Sequence, residues 1–367
     1  MCSVRHDATI GGMDVERQLL SAGRELRSSN QLARDGMTSR GLMLAVRNGE
    51  RVRVRSGWYV SGAFWEGARP EERHLAAIVA AQRATRTELI FSHRSAAVLH
   101  GLPAWSDWLT GAGIRRAPDP RQVHLIVSPD RRGGSTPVAF RHRQTVAASD
   151  LVHRGGFSTT GPHRTIADLA RSEPFVLALA CADAELRRTA AARGAVDADA
   201  WSDWRADIAD RSAGAATRNG VRSLRALEAL ADPRTDSPLE SGARLRLVQL
   251  GFAPVPQVEV AAPGGGRYLV DFELAGCGVY VKCDGTSKYF DRGSDVGRSP
   301  EAVLLREKQR QNWITSTTGR RMVRLIARDV VSVERLASVL RACSIEVPGA
   351  PASELGPAIA RFLARTP

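Results

Sequence analysis

Lysine is almost missing from this chain: of its 52 basic residues only Lys282, Lys288 and Lys308 are lysines, and the other 49 are arginines. Histidine is missing beyond His163, so any chemistry in the C-terminal half runs without imidazole. No apolar run approaches the ~18 residues that a membrane helix needs, which excludes a helical membrane span. Residues 1–15 carry neither a hydrophobic signal core nor a cleavage site, which argues against secretion and for a cytoplasmic protein. The five cysteines (Cys2, Cys181, Cys277, Cys283, Cys343) are odd in number and have no disulfide or metal-ligand spacing, so they read as reduced thiols. Acidic residues are also short, 39 against 52 basic ones. The resulting net charge of +13 makes a polyanion the first partner to consider.

What remains is globular material, 43% apolar and 25% charged. At ~150 residues per domain, 367 residues suggest two or three domains. An arginine bias this strong reflects genome composition. Where arginine is the default, a retained lysine marks a position that needs a compact point charge with an adjustable pKa. All three lysines fall within a 27-residue span.

The pattern predicts an α/β multidomain chain. Segment 13–62 reads as short helices followed by a basic hairpin, and 70–190 as apolar helices mixed with strands such as Val123–Val127. Segment 191–222 is rich in Ala, Gly and Asp and reads as a helical linker. Segment 223–345 opens with a helix, passes through strong strands and ends in helix, strand and helix. The tail 346–367 is loop and a short terminal helix. Neither an internal repeat nor a low-complexity block appears.

In the first segment, Ser29–Arg34 can start a short helix and Asp35-Gly36 is a turn. Thr38 or Ser39 can cap a second helix, Arg40 to Asn48, with Leu42, Val46 and Leu44 expected inward, and Asn48-Gly49 stops it. Alternation then puts Arg51, Arg53 and Arg55 on one face of a strand, before Ser56-Gly57 and Trp58-Tyr59-Val60. Helix, turn, helix and a basic two-stranded wing describe a winged helix-turn-helix. Its second helix, with Arg40 and Arg47, would enter the major groove of double-stranded DNA while the wing touches phosphate. A small solvated helical bundle with an Arg-rich edge is the plainer alternative.

Residues 13–62 resemble the N-terminal domain of the AbiEi abortive-infection antitoxins. The likeness continues through Phe91-Ser92-His93-Arg94-Ser95-Ala96-Ala97-Val98-Leu99-His100-Gly101-Leu102-Pro103 and through Thr159–Arg171, with Pro162-His163-Arg164-Thr165 at its centre. The resemblance implies a prokaryotic DNA-binding autoregulator with a toxin partner. Ser92 can cap a helix that Gly101 and Pro103 end, and His93 and His100, seven apart, would share one face. As a pair they complete neither a triad nor a metal site.

In the last segment, Ser237-Pro238-Leu239-Glu240 is a helix start with Ser at the N-cap, Pro at N1 and Glu at N3. Val255 to Val260 and Arg267 to Leu274 read as a hairpin around three glycines, and a further strand runs from Gly278 to Asp284. A two-residue loop at Gly276-Cys277 would pair 273 with 280 and 271 with 282. Asp271 then lies opposite Lys282, with Asp284 two residues along, and Tyr280 on their face. Val270, Phe272 and Leu274 would point the other way. Helix Glu, strand Asp and a charged pair at i, i+2 form the constellation of a divalent-metal nuclease, in which carboxylates hold Mg²⁺ and a Lys stabilises developing charge. Glu301, Arg306, Glu307, Lys308, Arg310 and Gln311 share a following helix, with Val303, Leu304 and Trp313 expected inward.

The stretch from Ser237 to about Val330 resembles the PD-(D/E)xK nuclease superfamily, and within it the very-short-patch repair endonucleases. The matching pieces are Ser237–Ser241, Val270-Asp271-Phe272, Asp284-Gly285, Lys288-Tyr289, Glu307–Arg310 and Arg321–Ile326. The resemblance implies a restriction-endonuclease-like α/β domain with Glu240, Asp271, Lys282, Asp284 and Lys288 at its catalytic site and Mg²⁺ on Glu240, Asp271 and Asp284. One departure stands out: where relatives place a Glu before x-Asp-Gly, this chain has Lys282. Two consequences compete. Either Lys282 pairs with Asp271 and occupies the metal's place, giving a DNA-binding regulator with a degenerate nuclease fold. Or the roles have swapped, and Glu240, Asp271 and Asp284 hold the metal of an active endonuclease while Lys282 or Lys288 assists. A non-enzymatic adaptor that binds a protein through the middle region is a third option.

Overall fold

The computed structural model describes residues 10–105, 118–130, 133–192, 195–214, 218–285, 300–351 and 355–367. Lys288, Tyr289 and the side chains of Val303 and Leu304 lie outside what it describes. The chain is α/β. It forms two compact units, one built from residues 10–105 and 118–172 and one from residues 173–367.

The first unit opens with α1 (Ile10–Glu25), β1 (Arg27–Ser28), α2 (Ser29–Arg34), α3 (Ser39–Arg47), β2 (Arg51–Arg55), β3 (Trp58–Ser61), α4 (Gly62–Gly67) and α5 (Pro70–Arg83). Short-range capping explains the two small helices. Ser28 and Gln31 form a reciprocal capping box at α2, and the Thr38 hydroxyl accepts the Gly41 N–H at α3. A three-stranded sheet in the order β1-β3-β2 backs them. The inward face expected for α3 is not the one found. Ala45 is its buried residue, Leu42 is half-buried, and Met43, Leu44 and Val46 are exposed. A nine-residue helix touches its support along one line, and here the smallest side chain occupies it.

After α5 come β4 (Ile90–Phe91), α6 (His93–Leu99), β5 (Val123–Val127), β6 (Ala139–Arg143), β7 (Leu151–Arg154), β8 (Phe157–Thr160) and α7 (Pro162–Ser172). The strands form a mixed five-stranded sheet in the order β6-β5-β4-β8-β7, with β5 parallel to β6 and β4 parallel to β8. Every residue of β5 is buried, as for an interior strand covered on both faces. The Pro162–Arg171 motif serves this sheet. Arg164 donates to Asp168, Asp150 and Gln144, and Thr165 joins its hydroxyl to that of Thr160 at 2.7 Å.

The second unit runs through α8 (Phe175–Ala190), the short strands β9 (Ala191–Ala192) and β10 (Ala195–Val196), α9 (Ala198–Ala213), α10 (Arg218–Leu230) and α11 (Pro238–Gln249). It then enters a four-stranded sheet of β11 (Pro254–Ala261), β12 (Arg267–Leu274), β13 (Val279–Asp284) and β14 (Arg321–Ile326) in that order, with α12 (Pro300–Thr318) between β13 and β14. Helices α13 (Val333–Ala342) and α14 (Pro357–Leu363) close the chain. Within residues 191–222, α9 buries Trp204 and Ile208. The C-terminal tail is tied down too. Gln249 donates to the carbonyls of Leu363 and Thr366, both at 2.8 Å, and Phe362 meets Phe175 edge-on. Gly251 stands at φ 93 where α11 ends, and a Cβ there would meet the Ala350 carbonyl at 2.4 Å, so only glycine lets the tail pass.

The interior of α11 is held by charge as well as packing. Asp183 on α8 accepts from both the Arg244 guanidinium at 2.8 Å and the Ser241 hydroxyl at 2.7 Å, and also takes the Asp232 N–H. Among the described residues, no helix is long and apolar enough to cross a membrane.

Candidate functional site

In the first unit, Thr38, Ser39, Arg40 and Arg47 all stand exposed at α3. The β2–β3 hairpin carries its arginines unequally. Arg53 is exposed, whereas a register shift between Arg53 and Arg55 turns the end of the strand. Arg55 is half-buried and donates to the Val138 carbonyl at 3.4 Å. Burial, with the nearby Arg141 charge, pulls its pKa down from the ordinary arginine value. The three arginines therefore do not act as one row: Arg53 faces solvent, Arg51 is partly covered, and Arg55 serves the fold.

The same unit holds a cluster that spacing did not reveal. His93 at the start of α6, His124 on β5 and His142 on β6 bring one ring nitrogen each to within 4.8 Å of one another. Among the described residues, no other set of three such ligand groups converges. His93 opens α6 at φ 49, and His100, at the C-cap of the same helix, reaches the Thr160 carbonyl of β8 at 2.7 Å, so His100 serves the sheet and not the cluster.

In the second unit, the register between β12 and β13 is the expected one, with Glu273 opposite Tyr280. The loop spans Ala275 to Gly278 rather than two residues, and its length leaves the pairing sum unchanged. Lys282 Nζ donates to Asp271 Oδ1 at 2.9 Å, and the other oxygen of Asp271 accepts the Cys283 N–H at 2.7 Å. Both side chains are largely buried, 12% and 6% exposed, so this is an interior ion pair rather than a surface one. The expected facing differs in one respect. Val270 packs with Tyr280, Val260 and Ile314 of α12, so the pleat does not keep Val270 and Tyr280 apart. The β11–β12 ladder skips Gln257, which takes φ 52 at the position opposite Asp271.

The remaining acids have their own partners. Asp284 receives two hydrogen bonds from Arg324 on β14, at 2.6 and 2.9 Å, and Arg324 also reaches Gln311 and Glu307 of α12. Glu240 is buried. It accepts from the Asp236 N–H at 2.9 Å, the Ser237 hydroxyl at 2.9 Å and the Gln257 amide at 3.3 Å. The cap at α11 is thus formed by Ser237, while Glu240 returns to Asp236, one residue before the cap. Lys282, Glu307, Arg310 and Gln311 line a cavity of about 10 Å³, room for no more than one water. Lys308 and Arg306 point to solvent, and Trp313 is 39% exposed and anchored by its indole N–H to the Ala261 carbonyl at 2.8 Å.

The structure therefore joins Asp271 to Lys282, Asp284 to Arg324, and Glu240 to the turn before its own helix and to Gln257. Comparison of the chain with known protein families, with curated proteins and with solved structures finds no match.

Proposed function

We propose that this protein is a cytoplasmic, double-stranded-DNA-binding regulator of the antitoxin type, whose C-terminal unit is a nuclease-like domain that holds DNA without cutting it. The observation that carries this reading is the Lys282–Asp271 pair. Its ammonium sits where a divalent cation would have to meet the Asp271 carboxylate, and its Nζ–Oδ1 distance of 2.9 Å leaves no room between them. A buried carboxylate neutralised by a neighbouring lysine has little need of Mg²⁺. In the first unit, the exposed Arg40, Arg47 and Arg53 beside a capped short helix and a hairpin support a winged helix-turn-helix role. The exposed Met43 and Val46 on α3 suit contact with thymine methyls. The net charge of +13 supplies the long-range attraction to a polyanion. A toxin partner belongs to the same proposal and rests on the resemblance alone.

The test is a pair of measurements on the full chain. Fluorescence anisotropy with duplex DNA should show salt-dependent binding, and supercoiled plasmid should stay intact with Mg²⁺ present. Mg²⁺-dependent nicking that Lys282→Ala abolishes would replace this reading by an active endonuclease with swapped roles. Absence of DNA binding at low salt would leave the protein-binding adaptor.

A further inference from the structure

We propose that the first unit binds a divalent transition metal, with His93, His124 and His142 as its three protein ligands and Zn²⁺ as the ion suited to an all-imidazole set. This goes beyond the DNA-binding reading and stands or falls independently of it. Three chain-distant elements converge on the site: the start of α6, the interior strand β5 and the edge strand β6. His124 Nδ1 and His142 Nε2 lie 3.1 Å apart. Two nitrogens bound to one tetrahedral Zn²⁺ at ~2.0–2.1 Å are separated by roughly 3.3 Å, so a small relaxation admits the ion. The third ring lies stacked on His142, with centroids 3.4 Å apart and planes 9° from parallel. Because an imidazole ligates through a lone pair in its ring plane, one of these two rings must turn for both to meet a shared ion, and its nitrogen already stands within 4.8 Å of the others.

Two further observations point the same way. His93 stands at φ 49, a conformation that non-glycine residues seldom adopt, and such strain persists where a side chain must be aimed. Ser92 occupies the N-cap of α6 but makes no side-chain capping bond. Its hydroxyl lies 3.0 Å from His93 Nδ1, the kind of oxygen partner that orients a ligating imidazole.

The positive charges that face the cluster are engaged elsewhere. Arg164 pairs with Asp150 and Asp168, Arg171 with Asp168, and Arg94 donates to the Ala104 carbonyl beneath Trp105. His93 and His124 are buried while His142 is half-buried, with Phe140 against its ring. Three protein ligands and one partly open side leave the fourth coordination position to water or a small anion.

The experiment uses the full chain, stripped with chelator, dialysed and titrated with Co²⁺ as a spectroscopic probe and then with Zn²⁺. One equivalent of Co²⁺ should give the visible bands of a low-symmetry site, and Zn²⁺ should displace it. His142→Ala, at the least buried ligand, should weaken binding about tenfold or more with far-ultraviolet circular dichroism unchanged. Should that variant fail to fold, zinc-edge X-ray absorption of the wild type decides, with three imidazole nitrogens expected around the ion. Equal binding by wild type and His142→Ala, no Co²⁺ bands, or a shell dominated by sulfur or carboxylate oxygen would overturn the assignment.

Discussion

Lys282 on β13 faces Asp271 on the neighbouring β12 and donates to one oxygen of its carboxylate at 2.9 Å, while the other oxygen accepts the Cys283 N–H at 2.7 Å. A carboxylate satisfied on both sides by its neighbouring strand is a structural element of the sheet as much as a binding group. Removing one partner of a buried pair costs roughly 3–5 kcal/mol, because the other charge stays behind unpaired. Lys282→Ala should therefore lower unfolding stability by about that amount in urea titration. Lys282→Glu should be destabilised without divalent ions and regain stability as Mg²⁺ is added. A melting temperature indifferent to Mg²⁺ in Lys282→Glu would show that this face cannot become a metal site.

The hairpin arginines should separate by their surroundings. Arg53→Ala removes an exposed charge and should flatten the slope of log K against log salt by about 0.9, the change expected when one phosphate is no longer neutralised. Arg55 is half-buried and donates to the Val138 carbonyl, so Arg55→Ala should leave the slope alone and cost about 1 kcal/mol of stability. Anisotropy titrations at several salt concentrations, with a denaturation curve for each variant, check both. The reverse assignment of effects would refute the turned-strand geometry.

Acid should weaken the first unit. His74 is fully buried between the Pro120 carbonyl and the Ser95 hydroxyl, each 2.8 Å from a ring nitrogen, with Trp105 against its face and Arg94 and Asp119 nearby. Burial, the largest influence, lowers its pKa from 6.5 to about 4. Below pH 6.5 the unfolded chain takes up a proton that the folded chain refuses until about pH 4, so stability falls as pH drops through that window. His74→Gln should remove one proton's worth of that slope, up to ~1.4 kcal/mol per pH unit. Melting curves from pH 7 to 4 provide the test, and identical slopes in wild type and variant would contradict it.

The Asp183–Arg244 pair should behave as an interior clamp. Asp183→Ala leaves the Arg244 guanidinium buried without its carboxylate and frees the Ser241 hydroxyl and the Asp232 N–H. The expected drop in stability is about 3–5 kcal/mol, read from guanidinium unfolding of the full chain. Asp183→Asn, which keeps the side-chain volume and one carbonyl acceptor, should cost less. A drop under about 1 kcal/mol in Asp183→Ala would mean that the network contributes little.

The parts legible in the sequence are those set by short-range chemistry. Thr38 and Ser237 mark helix starts because a capping hydroxyl acts within three residues. The pairing of 273 with 280 is legible because a two-residue and a four-residue connection centred on Gly276-Cys277 place the same residues opposite one another. The inward face of α3 is not legible, since Leu42, Leu44 and Val46 satisfy a helical stripe while the support behind the helix touches Ala45. The destination of Arg55 is hidden for a similar reason: strand alternation does not report a bulge.

By itself, then, the sequence determined the α/β class, the caps, the hairpins, the excess of positive charge and the placing of Lys282 opposite Asp271. Each depends on residues close in the chain or on composition. Tertiary structure alone decided that Asp284 answers to Arg324, that Asp183 meets Arg244, and that His93, His124 and His142 meet at all. The physical reason is distance along the chain. Parallel pairing of β5 with β6 and the packing of α6 beside them bring together side chains 18 to 49 residues apart, and no local pattern encodes such a closure.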